Sequence, residues 1–168
     1  MKVLILNGEG TVGKDTFVDM LESLGVKVFR YSTIDSIKKI AKESFEWDGN
    51  KDEKGRQLLS DLKIASINYN NKPHIDMINA IKESEKNGYD IFVSMIRDIP
   101  EIEKAKNDNY LKDKIITVIV TSNRVKKHFS NIADSSVYDF VYDYYIENNG
   151  TLEELKETTK SFLQDISI

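Results

Sequence analysis

The stretch GEGTVGKDT, residues 8–16, has the residue types and spacing of a phosphate-binding loop. Two glycines five positions apart precede a lysine, between the apolar run KVLILN and the amphipathic run FVDMLESLG. Glycines let the backbone curl so that its N–H groups face inward, and a helix start adds partial positive charge. Lys14 supplies a full charge, worth about 4 kcal/mol against a close phosphate charge at an effective dielectric of about 20, before desolvation costs. A glycine-rich turn that only caps a structural helix is the alternative.

Five short runs rich in Val, Ile, Phe and Tyr predict strands, and the amphipathic stretches between them predict helices. The strand runs are KVLILN from Lys2, VKVFRY from Val26, YDIFVSM from Tyr89, IITVIVT from Ile115 and YDYYIE from Tyr142. Helices are predicted at about 14–24, from 32 or 33 onward, at 53–68, 73–87 and 151–164, with Ser32–Asp35 and Thr151–Glu154 as capping boxes. Apolar strands that alternate with helices predict an α/β fold with a parallel sheet covered on both faces.

The composition narrows the class of protein. The 168 residues predict one domain. The chain has no cysteine, which excludes disulfide scaffolds, thiolate zinc sites and cysteine nucleophiles. Acidic residues (28) outnumber basic ones (24), so nucleic acid is not an expected partner. The apolar runs fall far short of the roughly 20 residues of a membrane span, so we expect a soluble, cytoplasmic protein.

The loop also carries a resemblance to known kinases. GKDT resembles the loop of the phage-type deoxynucleoside monophosphate kinases and of phosphomevalonate kinases, and is similar to GKGT in adenylate kinases. The resemblance implies a three-layer P-loop fold with sheet order 2-3-1-4-5, ATP as the donor, and Mg²⁺ that arrives with the nucleotide. It implies that Lys14 bridges the transferred phosphoryl group, that Thr16 lies near the α-phosphate, and that Asp15 holds the metal through water while repelling the β-phosphate. The implied nucleotide-binding residues are Gly8, Glu9, Gly10, Thr11, Val12, Gly13, Lys14, Asp15 and Thr16.

Two segments resemble acceptor-binding segments of these kinases. STIDSIK, residues 32–38, is similar to the STGDMLR type of segment in adenylate kinases, which implies that Ser32, Asp35 and Lys38 bind the acceptor. DEKGRQLLSDLK, from Asp52, resembles a charged helix start in the phage-type kinases, which implies the same for Arg56. Solvated helix faces are the alternative for both basic residues. The long helical stretch at about 33–88 is therefore predicted to be an acceptor-binding insert.

The segment after the third strand, VSMIRDIPEIEKA, looks like the VxDVRFPNEA type of segment in the phage-type kinases. Arg97 lies just past the carboxyl end of that strand, where a guanidinium can grip an acceptor phosphate. A salt bridge at a helix start is the alternative. The similar families carry an aspartate two or four residues earlier, where this chain has Met95 and Val93. This chain therefore lacks the carboxylate that would help to place the metal and to activate the acceptor.

A short lid is predicted at about 123–138, after the fourth strand, where nucleotide kinases cover the phosphates. Arg124 would stabilise charge on the transferred group, and a surface arginine is the alternative. The last-strand segment DYYIENNGTLEEL resembles that of the same kinases, which implies that Asn149 and Gly150 lie near the base. A turn before a capped helix explains these two residues equally well.

Together these features favour an ATP-dependent phosphotransferase with Lys14, Arg97 and Arg124 as catalytic residues. The predicted acceptor is a small phosphorylated molecule, namely a nucleoside or deoxynucleoside monophosphate. A catalytically weakened nucleotide-binding protein, or a kinase for a phosphorylated metabolite that is not a nucleotide, is the alternative, because a fold does not determine function.

Overall fold

A computed structural model describes residues 1–124 and 136–168. The strands are β1 Lys2–Asn7, β2 Val28–Tyr31, β3 Ile91–Met95, β4 Ile115–Thr121 and β5 Tyr144–Glu147. The α-helices are α1 Lys14–Ser23, α2 Asp35–Phe45, α3 Glu53–Asn70, α4 Lys72–Lys86, α5 Ile99–Lys106 and α6 Leu152–Asp165. A short 3₁₀ turn, Ser136–Tyr138, precedes β5. Among the described residues, no helix combines the length and the apolar character that a bilayer crossing requires.

The five strands form one parallel sheet in the order β2-β3-β1-β4-β5, which confirms the predicted α/β fold and its strand order. β1 is the central strand: Leu4 lies opposite Val93 of β3 on one side and Ile116 of β4 on the other. Parallel strands place their carboxyl ends at one edge of the sheet, where ligands of such folds bind. Residues that follow β1, β3, β4 and β5 therefore share that edge.

Three strands, β2, β3 and β5, start two residues later than predicted because the amides before them bond elsewhere. The Lys27 N–H donates to the Asp90 carboxylate at 2.9 Å, and the Tyr89 N–H donates to the Ser84 carbonyl at 3.2 Å. Before β5, the Asp143 N–H donates to the Thr117 hydroxyl at 3.0 Å. These amides are therefore satisfied outside the sheet ladder, and the three strands begin after them.

The described residues divide into two compact units, Met1–Arg30 with Ser84–Ile168, and Tyr31–Glu83. In the first unit, one face of the sheet packs against α1 and α6. Phe17 of α1 and Phe162 of α6 meet edge to face with ring centroids 5.5 Å apart. The core of this face consists of Leu4, Leu6, Val12, Phe17, Val18, Leu21, Ile91, Val93, Val118, Val120, Ile146, Leu155, Phe162, Leu163 and Ile166.

The second unit has a small core of its own. Ile37 and Ala41 of α2 and Leu59 of α3 are buried together, and Trp47 packs against them. The Trp47 indole N–H donates to the Asn50 carbonyl at 2.8 Å, so its polar edge is satisfied as the ring packs. This tryptophan therefore contributes to the packing of α2 against α3.

Three helix starts differ in how well the sequence predicted them. The capping box of α6 is confirmed: Thr151 accepts from the Glu154 N–H, and the Glu154 carboxylate accepts from the Thr151 N–H. The predicted Ser32–Asp35 box is wrong, because Ile34 is the N-cap of α2 and Ser32 contributes its main-chain oxygen to the Asp35 N–H. Helix α5 was not predicted; its eight residues are too few for a clear amphipathic pattern.

Candidate phosphate-binding site

The loop between β1 and α1 has the backbone of an anion cradle. Gly8, Thr11 and Gly13 have φ values of +137°, +64° and +99°. A Cβ atom at Gly8 would lie 2.3 Å from the main-chain oxygen of Val120, and one at Gly13 would lie 2.1 Å from the Asn148 side-chain nitrogen. Positive φ and close neighbours both require glycine at these two positions.

The amino end of α1 is open toward this loop. Its N-cap is Gly13, which has no side chain to occupy the amides of the first turn. Asp15 is exposed in that turn, and Thr16 is half-buried beside it. The N–H groups of a helix start and the positive end of the helix dipole fit an anion such as a phosphate group.

Lys14 lies inside the loop and is only 9% exposed. Its ammonium donates to the Gly8 carbonyl at 2.8 Å and to the Glu9 carbonyl at 2.6 Å. The lysine is therefore held against the backbone of the loop that would receive the phosphate. Charged phosphate oxygens accept stronger hydrogen bonds than these neutral carbonyls do, so they can compete for the same ammonium.

Tyr138, the last residue of the 3₁₀ turn, and Tyr142, which follows that turn, contact residues at the start of the loop. Asn7 is fully buried; its side-chain oxygen accepts from the Gly8 N–H at 2.8 Å, and its nitrogen donates to the Tyr142 hydroxyl at 2.7 Å. The Tyr138 hydroxyl donates to the Glu9 carboxylate at 2.7 Å. Burial and this contact with Glu9 raise the pKa of Tyr138 to about 12, so the hydroxyl keeps its proton at neutral pH.

Asn148, directly after β5, contacts both the loop and Arg124. Its side-chain nitrogen donates to the Val12 carbonyl at 2.9 Å. One terminal nitrogen of Arg124 donates to the Asn148 main-chain oxygen at 2.7 Å and to its side-chain oxygen at 2.9 Å. The predicted lid residue Arg124 is therefore joined to the phosphate loop through a single amide group.

The two predicted base-contacting residues lie next to this amide in the turn before α6. The Asn149 side-chain oxygen accepts from the Asn123 N–H at 2.8 Å. A Cβ atom at Gly150 would lie 2.0 Å from the Glu154 carboxylate of the capping box. Both residues therefore have structural tasks in the turn, and contact with a base stays a prediction.

Arg97 lies two residues beyond the end of β3, at the carboxyl edge of the sheet, and is exposed. The positions at which the similar families carry an aspartate hold Val93, which is 2% exposed, and Met95, which is half-buried. Val93 belongs to the core between the sheet and α1 and α6. Met95 packs against the same core, so at this strand end the chain uses both positions for packing.

The other predicted acceptor residues belong to the second unit. The Lys38 ammonium pairs with the Asp35 carboxylate at 2.6 Å on α2, and Ser32 is half-buried before that helix. Arg56 of α3 donates through Nε to the Lys51 carbonyl at 2.8 Å. A surface cavity of about 530 Å³ borders Arg56 and is lined by Lys51, Asp52, Glu53, Arg56, Gln57 and Ser60. Acceptor binding by these residues stays a prediction.

Most of the predicted lid lies outside the described residues, which end at Arg124 and resume at Ser136. In the described part of the chain, no group of three or more His, Asp or Glu side chains could hold a metal ion. In this part of the chain, a metal ion would need ligands from a bound nucleotide, and Asp15 is the protein residue predicted to contact it.

Sequence reasoning missed four residues that support the loop: Asn7, Ser122, Tyr138 and Asn148. Ser122 contributes a hydroxyl that donates to the Asn148 carbonyl at 2.8 Å. Position at the carboxyl end of a strand is a signal that could have found three of them: Asn7 ends β1, Ser122 follows β4 and Asn148 follows β5. Tyr138 carries no such signal, since its partner Glu9 lies 129 residues away.

Comparisons with known proteins establish the fold. The chain matches no protein-family model and no curated protein sequence. A dephospho-CoA kinase from Campylobacter jejuni superposes with a TM-score of 0.56 at 15% identity, over 99% of this chain and 98% of that one. TT1252 from Thermus thermophilus has a TM-score of 0.56 at 16% identity, over 98% of this chain and 97% of that one. A tunicamycin resistance protein from Deinococcus radiodurans has a TM-score of 0.55 at 11% identity, over 99% of this chain and 96% of that one. At such identities the likeness establishes the fold alone, which is a three-layer α/β P-loop fold.

Proposed function

We propose that this protein is an ATP-dependent phosphotransferase that moves the γ-phosphoryl group of ATP to a nucleoside or deoxynucleoside monophosphate. The observation that carries the proposal is the buried ammonium of Lys14 beside the uncapped amino end of α1. A cation and the amino end of a helix, both favourable to an anion, lie together in this loop. Such an arrangement binds the phosphates of a nucleotide, and Mg²⁺ supplied with ATP would neutralise part of their charge.

The reaction requires no covalent chemistry from the protein. The bond between the γ-phosphorus and the β,γ-bridging oxygen breaks, and ADP leaves with that electron pair. An ionised oxygen of the acceptor phosphate forms the new P–O bond. Positioning and charge stabilisation provide the rate, which is why cationic side chains dominate the proposed site.

Three cations have assigned tasks in this proposal. Lys14 holds the donor phosphates, and Arg97, beyond the end of β3, grips the acceptor phosphate. Arg124, joined to the loop through Asn148, stabilises charge on the transferred group. In the second unit, Lys38 and Arg56, with Ser32 and Asp35, are the proposed contacts of the acceptor.

A second candidate function is nucleotide binding without transfer. Val93 and Met95 favour it, because neither can place a metal or activate an acceptor as a carboxylate can. This candidate predicts ATP affinity that depends on Lys14, and no turnover with any acceptor.

The deciding experiment measures ADP release from ATP and Mg²⁺ with each ribo- and deoxynucleoside monophosphate. Dephospho-coenzyme A is tested as an acceptor of another kind. Lys14→Met and Arg97→Ala are compared with Lys156→Met and Lys104→Ala, which change exposed lysines of α6 and α5. We expect turnover with one monophosphate, reduced at least about a hundredfold by Lys14→Met and by Arg97→Ala alone. ATP binding without any turnover would instead support the second candidate. Turnover with dephospho-coenzyme A only would show that the acceptor is not a nucleoside monophosphate.

A further inference from the structure

The amide of Asn148 is the point at which three parts of the phosphate site meet. Its nitrogen donates to the Val12 carbonyl, and its oxygen accepts from Arg124. Its main-chain oxygen also accepts from Arg124 and from the Ser122 hydroxyl. The loop after β1, the end of β4 and the end of β5 are thereby linked by one residue.

The contact with Val12 determines how the next peptide group faces. In a trans peptide, the carbonyl of one residue and the N–H of the next point in opposite directions. Because the Val12 oxygen is turned toward Asn148, the Gly13 N–H points away from Asn148. That N–H belongs to the N-cap of α1, and the N–H groups of a helix start have no acceptor within the helix, so they are the donors that a phosphate group uses.

The same amide also explains why residue 13 has no side chain. A Cβ atom at Gly13 would lie 2.1 Å from the Asn148 nitrogen, well inside contact distance. The amide of Asn148 therefore occupies the space that an alanine at position 13 would need. Together with the φ of +99°, this close approach favours glycine at position 13.

We infer that Asn148 is a positioning residue of the phosphate site, which orients the Val12–Gly13 peptide for the nucleotide phosphates and holds the Arg124 guanidinium next to it. The first part concerns nucleotide binding only. The second part rests on the proposed function, since it gives Arg124 a task in phosphoryl transfer.

Asn148→Asp separates the two contacts. An aspartate keeps an acceptor for Arg124 but has no donor for the Val12 carbonyl, and it places a negative oxygen against that carbonyl. We expect Asn148→Asp to weaken ATP binding about tenfold, measured by titration calorimetry with ATP and Mg²⁺ and no acceptor. The matched control is Asn109→Asp, an equal change at an exposed position of the turn before β4.

Thermal unfolding of the same variants separates positioning from general destabilisation. We expect the effect on ATP affinity in protein that is folded at the assay temperature, with adenosine affinity unchanged, because only the phosphate contacts are displaced. Asn148→Ala also removes the contact with Val12 but adds no charge. It replaces Asn148→Asp in the test if that variant does not fold. ATP affinity equal to that of the unmodified protein in a folded Asn148→Asp or Asn148→Ala variant would overturn the inference.

A double-mutant cycle tests the link to Arg124. Arg124→Ala should slow ADP release in the unmodified protein by a larger factor than it does in Asn148→Ala, where the guanidinium has already lost its side-chain acceptor. Equal factors in the two backgrounds would refute the link. If the unmodified protein binds ATP but transfers to no acceptor, the proposed function fails, while the effect of Asn148→Asp on ATP affinity still decides the first part.

Discussion

Gly8 and Gly10 lie two residues apart in the phosphate loop, but only Gly8 requires glycine for folding. Gly8 has φ +137°, and its Cβ would meet the main-chain oxygen of Val120 at 2.3 Å. A Cβ at Gly10 would meet no atom within 4 Å, and its φ is not in the left-handed region. The two residues therefore allow a matched comparison of backbone strain within one loop.

Gly8→Ala should lower the free energy of unfolding by about 2–4 kcal/mol, because it combines an unfavourable φ with a clash against fixed main chain. Gly10→Ala should change it by less than about 1 kcal/mol. Urea unfolding at pH 7, followed by circular dichroism, measures both. Equal losses for the two variants would contradict the assignment of strain to Gly8.

At the scale of the element, the amino end of α6 depends on a reciprocal cap. The Thr151 hydroxyl accepts from the Glu154 N–H at 3.2 Å, and the Glu154 carboxylate accepts from the Thr151 N–H at 2.7 Å. The helix that follows contributes Leu155, Phe162 and Leu163 to the core of the first unit. Local sequence therefore determines where this helix starts and which face it buries.

Thr151→Ala should reduce the free energy of unfolding by about 1 kcal/mol, since an N-cap hydroxyl is lost. Thr158→Ala is the matched control: its hydroxyl donates to the Glu154 carbonyl from within α6, where alanine is a better helix former. We expect the control to be neutral or slightly stabilising. Comparable losses in both variants, measured by urea unfolding, would show that capping is not the cause.

At the scale of the whole molecule, ionisable groups limit stability at both ends of the pH range. Burial opposes ionisation of Glu85 and Asp143, but hydrogen bonds outweigh it and hold the pKa of each carboxyl below its usual value. Glu85 pairs with Lys114 at 2.6 Å and accepts from Tyr110, and Asp143 accepts from the Thr117 N–H and hydroxyl at 2.7 Å each. Their stabilisation is present above the unfolded pKa of about 4 and is lost as the pH falls through the lower folded pKa.

Three tyrosines whose pKa is raised to about 12, chiefly by burial, contribute to the alkaline limit: Tyr31, Tyr138 and Tyr142. A raised pKa favours the folded state below the unfolded value of about 10, and this contribution is lost as the pH rises through about 12. Deprotonation of Tyr142 would also remove its hydrogen bond to the Val137 carbonyl.

The free energy of unfolding should therefore be highest between about pH 5 and 10 and fall on both sides. Asp143→Asn should flatten the acid side, with a loss of about 1 kcal/mol at pH 7 that shrinks toward pH 3. Urea unfolding from pH 3 to 11 measures this, with Asp139→Asn as a control at an exposed position nearby. A loss from Asp143→Asn that is the same at pH 3 and pH 7 would rule out the assigned role of this carboxylate.

Several features of the fold and the site follow from residues close together in the chain. The five apolar runs, the loop from Gly8 to Lys14 and the Thr151–Glu154 cap were all predicted, because each depends on neighbours within a few positions. The Ser32–Asp35 cap was wrong for the same kind of reason: a serine also satisfies an amide through its main-chain oxygen, and the side-chain pattern does not distinguish the two.

By itself, the sequence determined the order of the strands and of the described helices other than α5, and the loop from Gly8 to Lys14, since hydrogen bonding and hydrophobic periodicity act over short separations. Only the tertiary structure decided what surrounds that loop. Asn148 reaches Val12 across 136 residues, and Tyr138 reaches Glu9 across 129. The Asn148 contact exists because parallel strands bring their carboxyl ends to one edge of the sheet, where residues distant in the chain become neighbours. Tyr138 belongs to the 3₁₀ turn before β5, so only the folded chain brings it to Glu9.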